Sequence, residues 1–254
     1  MSTPASPSLA GPCGDCCIKM VKHSGESRGK AVEYGGARTY VVTPADFGHK
    51  TEGPHGKGVV LYFSDIFNAF YINAQLTMDY WANNGYTVLG IDYFDGESVA
   101  EVVSKGGDWK VWVEPHLASA PEVTKPWLAE VRKQYAGAKF FCIGNCFGAP
   151  YAMNLLAEDW LAAGAFAHPT YLNESHFERV QQEDFSFSLE SRRRAVDILI
   201  EGKKDYSMVL YGGIAHGFAT RSDPSVPTQR WGKEHAALSV LAWFDHHRNI
   251  TGPA

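Results

Sequence analysis

The sequence predicts an α/β fold in which a mostly parallel β-sheet is covered by helices on both faces. Short β-branched or aromatic runs, mostly bounded by Gly, Pro or Asp, alternate with longer stretches of helical periodicity. Such alternation favours parallel pairing, because each crossover helix returns the chain to the same edge of the sheet. With 45% hydrophobic and 20% charged residues, the composition is that of a globular protein. Because α/β folds of 254 residues are commonly single, we expect one domain over residues 1–254.

The elements follow in order along the chain. Strands are predicted at 38–42, 59–63, 86–91, 139–143, 164–167 and 206–211. Helices are predicted at 69–84, 120–135, 147–163 and 189–201, and a last helix has Ala237, Val240, Leu241 and Phe244 at i, i+3, i+4 and i+7. The first twelve residues are rich in Ser, Pro and Ala, and we expect them to form a flexible tail.

Charge and hydropathy exclude several classes of partner. The formal net charge is −5 and the basic residues are scattered, so no basic face for nucleic acid is predicted. No apolar run approaches the roughly 18 residues that span a bilayer. The first residues also lack a basic stretch followed by an apolar one, as a secretory leader would have. We therefore expect no membrane partner and a cytoplasmic location.

The five cysteines fit free thiols in a reducing compartment better than a disulfide framework. Cys13, Cys16 and Cys17 form a C-x-x-C-C cluster, but no second Cys or His pair follows them at zinc-finger spacing. Since a closed structural zinc site needs four ligands, the sequence favours a surface-exposed N-terminal segment over a metal site. No cofactor motif is found either.

A cysteine between two glycines is the strongest candidate for chemistry. Residues 139–143 form a predicted strand, a helix begins near Phe147, and Cys146 lies at the turn between them, flanked by Gly144 and Gly148. This is the G-x-S-x-G nucleophile elbow with Cys in place of Ser, where glycines are needed because a Cβ would clash with the neighbouring strand and helix. The structural alternative is a buried cysteine beside a tight turn.

A base and an acid follow in the order that such an elbow requires. His216, flanked by Gly213 and Gly217, lies in a loop between the last strand and the last helix, where the base is expected. The alternative is a loop histidine hydrogen-bonded to water. Asp184, with Glu183 as a second choice, supplies a carboxylate between the nucleophile and the histidine. The order therefore predicts a Cys146, Asp184, His216 triad.

An oxyanion hole in this arrangement uses two backbone N–H groups. One belongs to the residue after the nucleophile, Phe147, and the other to the loop after the strand 59–63, where Ile66 is well placed. Asp65 in the same loop would put an ionisable group at the mouth of the site. Its alternative interpretation is a residue favoured by the dipole of a helix N-terminus.

These motifs resemble the dienelactone hydrolase family, cysteine-dependent members of the α/β-hydrolase fold, and most closely its eukaryotic, fungal-type branch. The matching segments are YFSDIFN, LGIDYFDG, CIGNCFGAPYA, AFAHPTYL and LYGGIAHGFATRSDP, which cover most of the chain from about Tyr34 onward. The combination of G-x-C-x-G with H-G-F-x-x-R is specific to this family. The resemblance implies a catalytic triad and oxyanion hole at the residues named above, and a substrate carboxylate bound by Arg221.

The sequence departs from the family in three places. Bacterial members carry a glutamate where Asp65 stands, and their second carboxylate-binding arginine has no match here. Family members also have a strand between the AHPTYL segment and the acid, whereas only 16 positions separate His168 from Asp184 and the segment between them is polar. The sheet is therefore predicted to be one strand short before Asp184. It could pair without that strand, a nearby segment could replace it, or the chain could derive from an altered transcript.

The resulting prediction is a hydrolase of a small-molecule ester or lactone, including carboxylate-bearing ones, acting through a thioester on Cys146. Trp109 and Trp112 would form a cap over the substrate or pack as edge aromatics against a helix. Two alternatives remain: an isomerase or lyase that acts on a polyketide-like intermediate in the same pocket, and a catalytically inactive binding protein. The sequence allows a monomer or a homodimer.

Overall fold

The computed structural model describes residues 6–51, 53–179, 182–185 and 189–249, of which residues 182–185 and 189 are described by their backbone alone. The strands of this part of the chain are β1 (Ser8–Ala10), β2 (Lys30–Tyr34), β3 (Ala37–Val42), β4 (Val59–Phe63), β5 (Thr87–Ile91), β6 (Phe140–Asn145), β7 (Leu161–Ala167), β8 (Leu172–Asn173), β9 (Gln182–Phe185) and β10 (Asp205–Met208). The α-helices are α1 (Ile72–Asn83), α2 (Val99–Ser104), α3 (Trp109–Gln134), α4 (Ala149–Leu156), α5 (Glu174–Arg179), α6 (Leu189–Glu201), α7 (Phe218–Arg221) and α8 (Pro227–Arg248).

A six-stranded sheet forms the centre of the fold, in the order β2-β3-β5-β4-β6-β7. The pairs β5–β4, β4–β6 and β6–β7 are parallel, whereas β2 and β3 add an antiparallel edge. The predicted class, a mostly parallel sheet flanked by helices, is confirmed. Because the parallel strands all end at one edge of the sheet, the loops after β4 and β6 meet there.

Alternate residues of the central strands bury themselves on opposite faces of the sheet. In β4, Val59, Leu61 and Phe63 belong to one core cluster, and Val60 and Tyr62 belong to the other. Helices α3 and α4 cover the first face, and α1 and α8 cover the second. A strand that is buried on both faces reads as a continuous apolar run, which is why its sequence predicts its position so closely.

Helix α3 is longer than the predicted helix at 120–135, because it starts at Trp109 and continues past three internal prolines, Pro115, Pro121 and Pro126. Its buried residues recur at spacings of three, four and seven and so form one face: Trp109, Val113, Ala120, Thr124, Trp127 and Val131. Burial of this face against the sheet compensates for the hydrogen bonds that each proline removes.

The chain around the predicted acid adopts a small separate sheet. Asp184 lies within β9, which pairs in parallel with β10 so that Asp184 is opposite Ser207. Among the described strands, β9 and β10 are not hydrogen-bonded to the six-stranded sheet, which ends at β7. The polar segment before Asp184 is predicted to lack a strand. It contains α5, and its last residues belong to β9.

The predicted tail at residues 1–12 falls partly on residues that the structure describes. Residues 1–5 lie outside them, and β1 pairs antiparallel with β8, with Ala10 buried. Gly11, although exposed, accepts a hydrogen bond from the Tyr171 N–H (2.8 Å), so the chain remains attached to the body of the protein at this point. Within the described ranges, no helix combines the length and the apolar composition that a membrane crossing needs.

Candidate active site

Cys146 occupies a sharp corner between β6 and a single 3-10 turn, Cys146–Gly148, that leads into α4. Its φ of +50° lies in the left-handed region that side chains other than glycine rarely adopt. A Cβ on Gly144 would overlap the backbone of Gly148, and a Cβ on Gly148 would overlap the carbonyl of Phe63 in β4. Both flanking glycines are thus required by close backbone approach, as the sequence predicts.

The structure brings Cys146 and His216 together across 70 positions of sequence. The Cys146 Sγ atom lies 3.4 Å from Nε2 of His216, a distance at which a thiol can donate a proton to an imidazole. His216 is half-buried in the loop between β10 and α7. The nucleophile and base predicted from the sequence are therefore adjacent in space.

The third predicted member of the triad can be located by its backbone alone. Asp184 and Glu183 lie in β9, next to β10, the strand that leads into the His216 loop. Their side chains lie outside the described part of the structure. The assignment of Asp184 as the acid therefore stays a prediction, supported by the neighbouring strands.

Ile66 and Phe147 flank the elbow from two adjacent strands. Phe63 of β4 pairs with Gly144 of β6, and each of the two residues lies three positions beyond its member of that pair. Ile66 and Phe147 are both almost fully buried. Both residues thus follow neighbouring strand ends at one edge of the sheet, and their assignment to the oxyanion hole stays a prediction.

Asp65 and Arg221 form a buried ion pair, with side chains only 3% and 1% exposed. The Asp65 carboxylate also accepts hydrogen bonds from the Thr220 hydroxyl (3.0 Å) and from the Phe67 N–H (3.0 Å). The Arg221 Nε atom donates to the Lys19 carbonyl (3.3 Å), while Nη2 has no hydrogen-bond partner among the described residues. The sequence did not anticipate that the two predicted substrate-binding residues would pair with each other.

Of the two tryptophans predicted to cap the pocket, Trp109 is a buried core residue at the start of α3. Trp112 is half-buried and donates from its indole N–H to Glu97 (2.8 Å). Its ring packs on Phe94, which in turn packs on Phe147, with ring centroids 5.2 and 5.0 Å apart. Trp112 is therefore connected to the ring of Phe147 through Phe94.

Two further cysteines lie at the elbow, and the sequence analysis did not place them there. Cys17 is fully buried, and its Sγ lies 3.5 Å from Cys146 Sγ and 3.4 Å from His216 Nε2. Cys13 Sγ lies 4.0 Å from Cys146 Sγ and 3.7 Å from the Thr170 hydroxyl. The expectation of a surface-exposed segment holds for Cys16 but is wrong for Cys17. We call Cys13, Cys17 and Cys146 the thiol cluster.

Hydrogen bonds hold the N-terminal segment, residues 13–23, over the elbow. Asn73 donates to the carbonyls of Val21 (2.8 Å) and Thr220 (3.1 Å) and accepts from the His23 N–H (2.9 Å). A ring nitrogen of His23 is 2.8 Å from the Ser222 carbonyl. Since Arg221 binds Lys19 in the same stretch, this segment and the loop after His216 form one hydrogen-bonded unit.

Burial and mutual contact separate the pKa values of the cluster. Burial, together with hydrogen bonds to Cys13 and Cys17, raises the pKa of Cys146 well above 9.0. Hydrogen bonds from Cys13 and Cys146, followed by the effect of His216, lower the pKa of Cys17. Burial therefore favours the neutral thiol form of Cys146, whereas its neighbours favour the thiolate form of Cys17.

His168 also lies at the site, although the sequence predicted no role for it. It follows β7 with a φ of +39°, is 3% exposed, and packs against His216 with ring centroids 4.9 Å apart. Neither of its ring nitrogens has a hydrogen-bond partner among the described residues. Burial and the neighbouring His216 hold the pKa of His168 well below 6.5, so this ring is neutral. His168 lies in the AHPTYL segment, which indicates the family but does not assign a role to this histidine.

The fold and the elbow together define an α/β hydrolase. The chain belongs to the dienelactone hydrolase family, whose model matches residues 38–248. Membership makes it a hydrolase of ester or lactone bonds in a small-molecule substrate.

Relatives and a solved structure agree with this assignment. The chain is 33% identical to Dienlactone hydrolase 1 of Gibberella moniliformis, over 94% of this chain and 95% of that protein. It is 32% identical to Dienlactone hydrolase 2 of the same organism, over 93% and 96% of the two chains. The crystal structure of a dienelactone hydrolase from Anabaena variabilis superposes with a TM-score of 0.60 at 16% identity, covering 88% of this chain and 99% of that one, which supports the fold.

Proposed function

We propose that the protein hydrolyses its ester or lactone through a thioester on Cys146, with His216 as the base, Asp184 as its orienting acid, and the N–H groups of Ile66 and Phe147 as the oxyanion hole. One observation carries the proposal. The strained elbow holds the Cys146 Sγ atom 3.4 Å from His216 Nε2. Few arrangements other than nucleophilic catalysis explain both the strain and the pairing.

The first half of the reaction forms the acyl-enzyme. Burial raises the pKa of Cys146 and so favours its neutral thiol form, and His216 Nε2, 3.4 Å away, removes the proton as the sulfur attacks the carbonyl carbon. The carbonyl π electrons move to oxygen, and the tetrahedral intermediate then collapses. The carbon–oxygen bond to the leaving alcohol or enol breaks, and that oxygen takes the proton from His216.

The second half releases the acid. Water loses a proton to His216 Nε2 as it attacks the thioester carbonyl, and collapse of the second tetrahedral intermediate breaks the carbon–sulfur bond. The proton returns to the thiolate of Cys146, which restores the resting thiol. In the tetrahedral intermediate formed from an amide, the thiolate leaves more readily than the amine, so the intermediate returns to the starting amide. Activated esters and lactones, whose oxygen leaving groups depart readily, therefore suit this site better than amides.

The positions of Ile66 and Phe147 support their assignment to the oxyanion hole. Both follow the paired ends of β4 and β6, and both are shielded from solvent. Hydrogen bonds from fixed backbone donors stabilise a developing oxyanion more strongly in such a dry site than in water.

A cavity of about 460 Å³ opens beside the base and is large enough for a small ester or lactone. His168, His216 and Phe218 are among its lining residues, and Arg192 contributes a cation. The fully buried Cys146 does not line the cavity and lies behind His216, 3.4 Å from its Nε2 atom. With Arg221 occupied by Asp65, Arg192 is the better candidate for contact with a substrate carboxylate.

The test is turnover of a panel of aryl esters and unsaturated lactones. Cys146→Ala should reduce hydrolysis to background. Cys142→Ala is the matched control, because Cys142 is buried in β6, the strand that leads to Cys146, packs in the core and should leave turnover within a few-fold of wild type. Turnover retained by Cys146→Ala would exclude the proposed nucleophile.

A further inference from the structure

Three ligand atoms converge at the elbow in a nearly equilateral triangle. Cys17 Sγ and Cys146 Sγ are 3.5 Å apart, and each is 3.4 Å from Nε2 of His216. Two sulfurs and an imidazole nitrogen form the donor set that zinc prefers in proteins. We infer that Cys17, Cys146 and His216 bind a zinc ion, with a neighbouring cysteine of the N-terminal segment, Cys13 or Cys16, as the fourth ligand.

The distances support this inference. With Zn–S bonds of about 2.3 Å and Zn–N bonds of about 2.0–2.1 Å, tetrahedral geometry separates two sulfurs by about 3.8 Å and a sulfur from a nitrogen by about 3.5 Å. The three measured edges lie within about 0.3 Å of those values. An ion could therefore enter with small side-chain movements and no rearrangement of the backbone.

Cys13 lies beside the two sulfurs of the triangle. Its Sγ lies 4.0 Å from Cys146 Sγ, and the sulfurs of the thiol cluster all lie within 4.8 Å of one another. Cys13 and Cys17 thus supply a C-x₃-C pair. The second pair, Cys146 and His216, comes from distant parts of the chain, which is why zinc-finger spacing does not reveal the site.

The surroundings of Cys17 favour a metal-bound thiolate. The Gly14 N–H donates to its sulfur (3.4 Å), an interaction that stabilises negative charge on the ligand and fixes its direction. Three thiolates, one neutral imidazole and Zn²⁺ carry a net charge of −1.

Zinc at this position would block acyl transfer. It would take the Cys146 sulfur and the Nε2 atom of His216, the two atoms that the proposed function requires in the free state. This consequence rests on the proposed function, whereas binding of the ion does not. The site would therefore act as an inhibitory metal site.

The test measures binding directly, on fully reduced protein without oxygen. Zinc is titrated in competition with a chromogenic chelator, and cobalt is used as a spectroscopic substitute. We expect one ion per chain, a Kd below about 0.1 μM and thiolate-to-cobalt charge-transfer absorption. Cys17→Ser should weaken binding by about 100-fold or more, because it removes a ligand. Cys142→Ala is the matched control, because Cys142 is a buried free cysteine outside the group of cysteines and histidines at the elbow and should leave the affinity unchanged.

Three results would overturn the inference. The first is fully reduced wild-type protein that binds no zinc. The second is a Cys17→Ser variant that binds as tightly as wild type while remaining folded by circular dichroism. The third is hydrolysis that persists when zinc saturates the protein. If zinc binds as expected but no ester is hydrolysed before zinc is added, the metal site stands and the proposed function fails.

Discussion

Arg221 directs its guanidinium at Asp65 inside the protein, where both side chains are almost completely shielded from water. A buried charge that loses its partner keeps its desolvation penalty, so removal of one member of such a pair typically costs about 3–5 kcal/mol. The pair joins the loop after β4 to the end of α7, the short helix that follows His216. We therefore interpret it as a structural support of the candidate site.

We predict that Arg221→Met lowers the free energy of unfolding by about 3–5 kcal/mol, measured by denaturant titration. The matched control is Arg230→Met, which removes an exposed cation 4.0 Å from Glu234 and should cost less than about 1 kcal/mol. If Arg221 instead serves mainly to bind substrate, the variant should keep its stability and lose affinity for acidic substrates alone.

The glycine beside the nucleophile gives a second prediction. Gly148→Ala places a Cβ against the Phe63 carbonyl, and we expect a loss of about 1–3 kcal/mol in stability with at least a tenfold loss of turnover. Gly212→Ala is the control, because a Cβ at Gly212 would have no heavy atom within 4 Å. Equal stability of the two variants in thermal unfolding would show that the elbow is not tightly packed.

The acid can be tested against its own neighbour. Asp184→Asn should reduce turnover by about 10²–10⁴-fold, because an imidazole without an orienting carboxylate loses its tautomer and position. Glu183→Gln, one position earlier in β9, should change turnover by less than a few-fold. The reverse pattern would move the assignment to Glu183, and unchanged turnover in both would remove the acid from this strand.

A half-buried lysine makes stability depend on pH. Burial lowers the pKa of Lys233 from 10.5 to about 8, and its Nζ lies 2.8 Å from a ring nitrogen of His23 in the N-terminal segment. The unfolded chain therefore binds this proton more tightly, so stability should rise as pH increases from about 8 to 10.5.

Lys233→Met should abolish that rise and stabilise the protein at pH 7 by up to about 2 kcal/mol, once solvent screening is allowed for. Denaturant titrations at several pH values measure both effects. A wild-type protein with no gain in stability across this range, or a Lys233→Met variant that retains it, would contradict the assignment.

The sequence predicts those parts of the fold whose signal is local. Strand β4 is predicted to the residue because its apolar run is continuous, and the elbow is predicted because G-x-C-x-G encodes a backbone constraint. The His216 loop follows from its glycines and from its place in the order of elements.

The remaining features depend on contacts that are distant in sequence. The start of α3 is hidden by prolines whose cost is compensated only by burial against the sheet. Cys17 looks exposed in a polar segment until Asn73 and Arg221 fix that segment over the elbow. The pairing of Asp65 with Arg221 joins residues 156 positions apart, and no local pattern encodes it.

The central claim is that Cys146 carries the acyl group, and intact-protein mass spectrometry tests it most directly. Wild-type protein, freed of metal by a chelator and reduced, is mixed with an activated aryl ester and quenched in acid during turnover. We predict a mass increase of one acyl group, located by peptide mapping on Cys146, and no increase in Cys146→Ala. An adduct on another residue, or rapid hydrolysis by Cys146→Ala, would contradict the account.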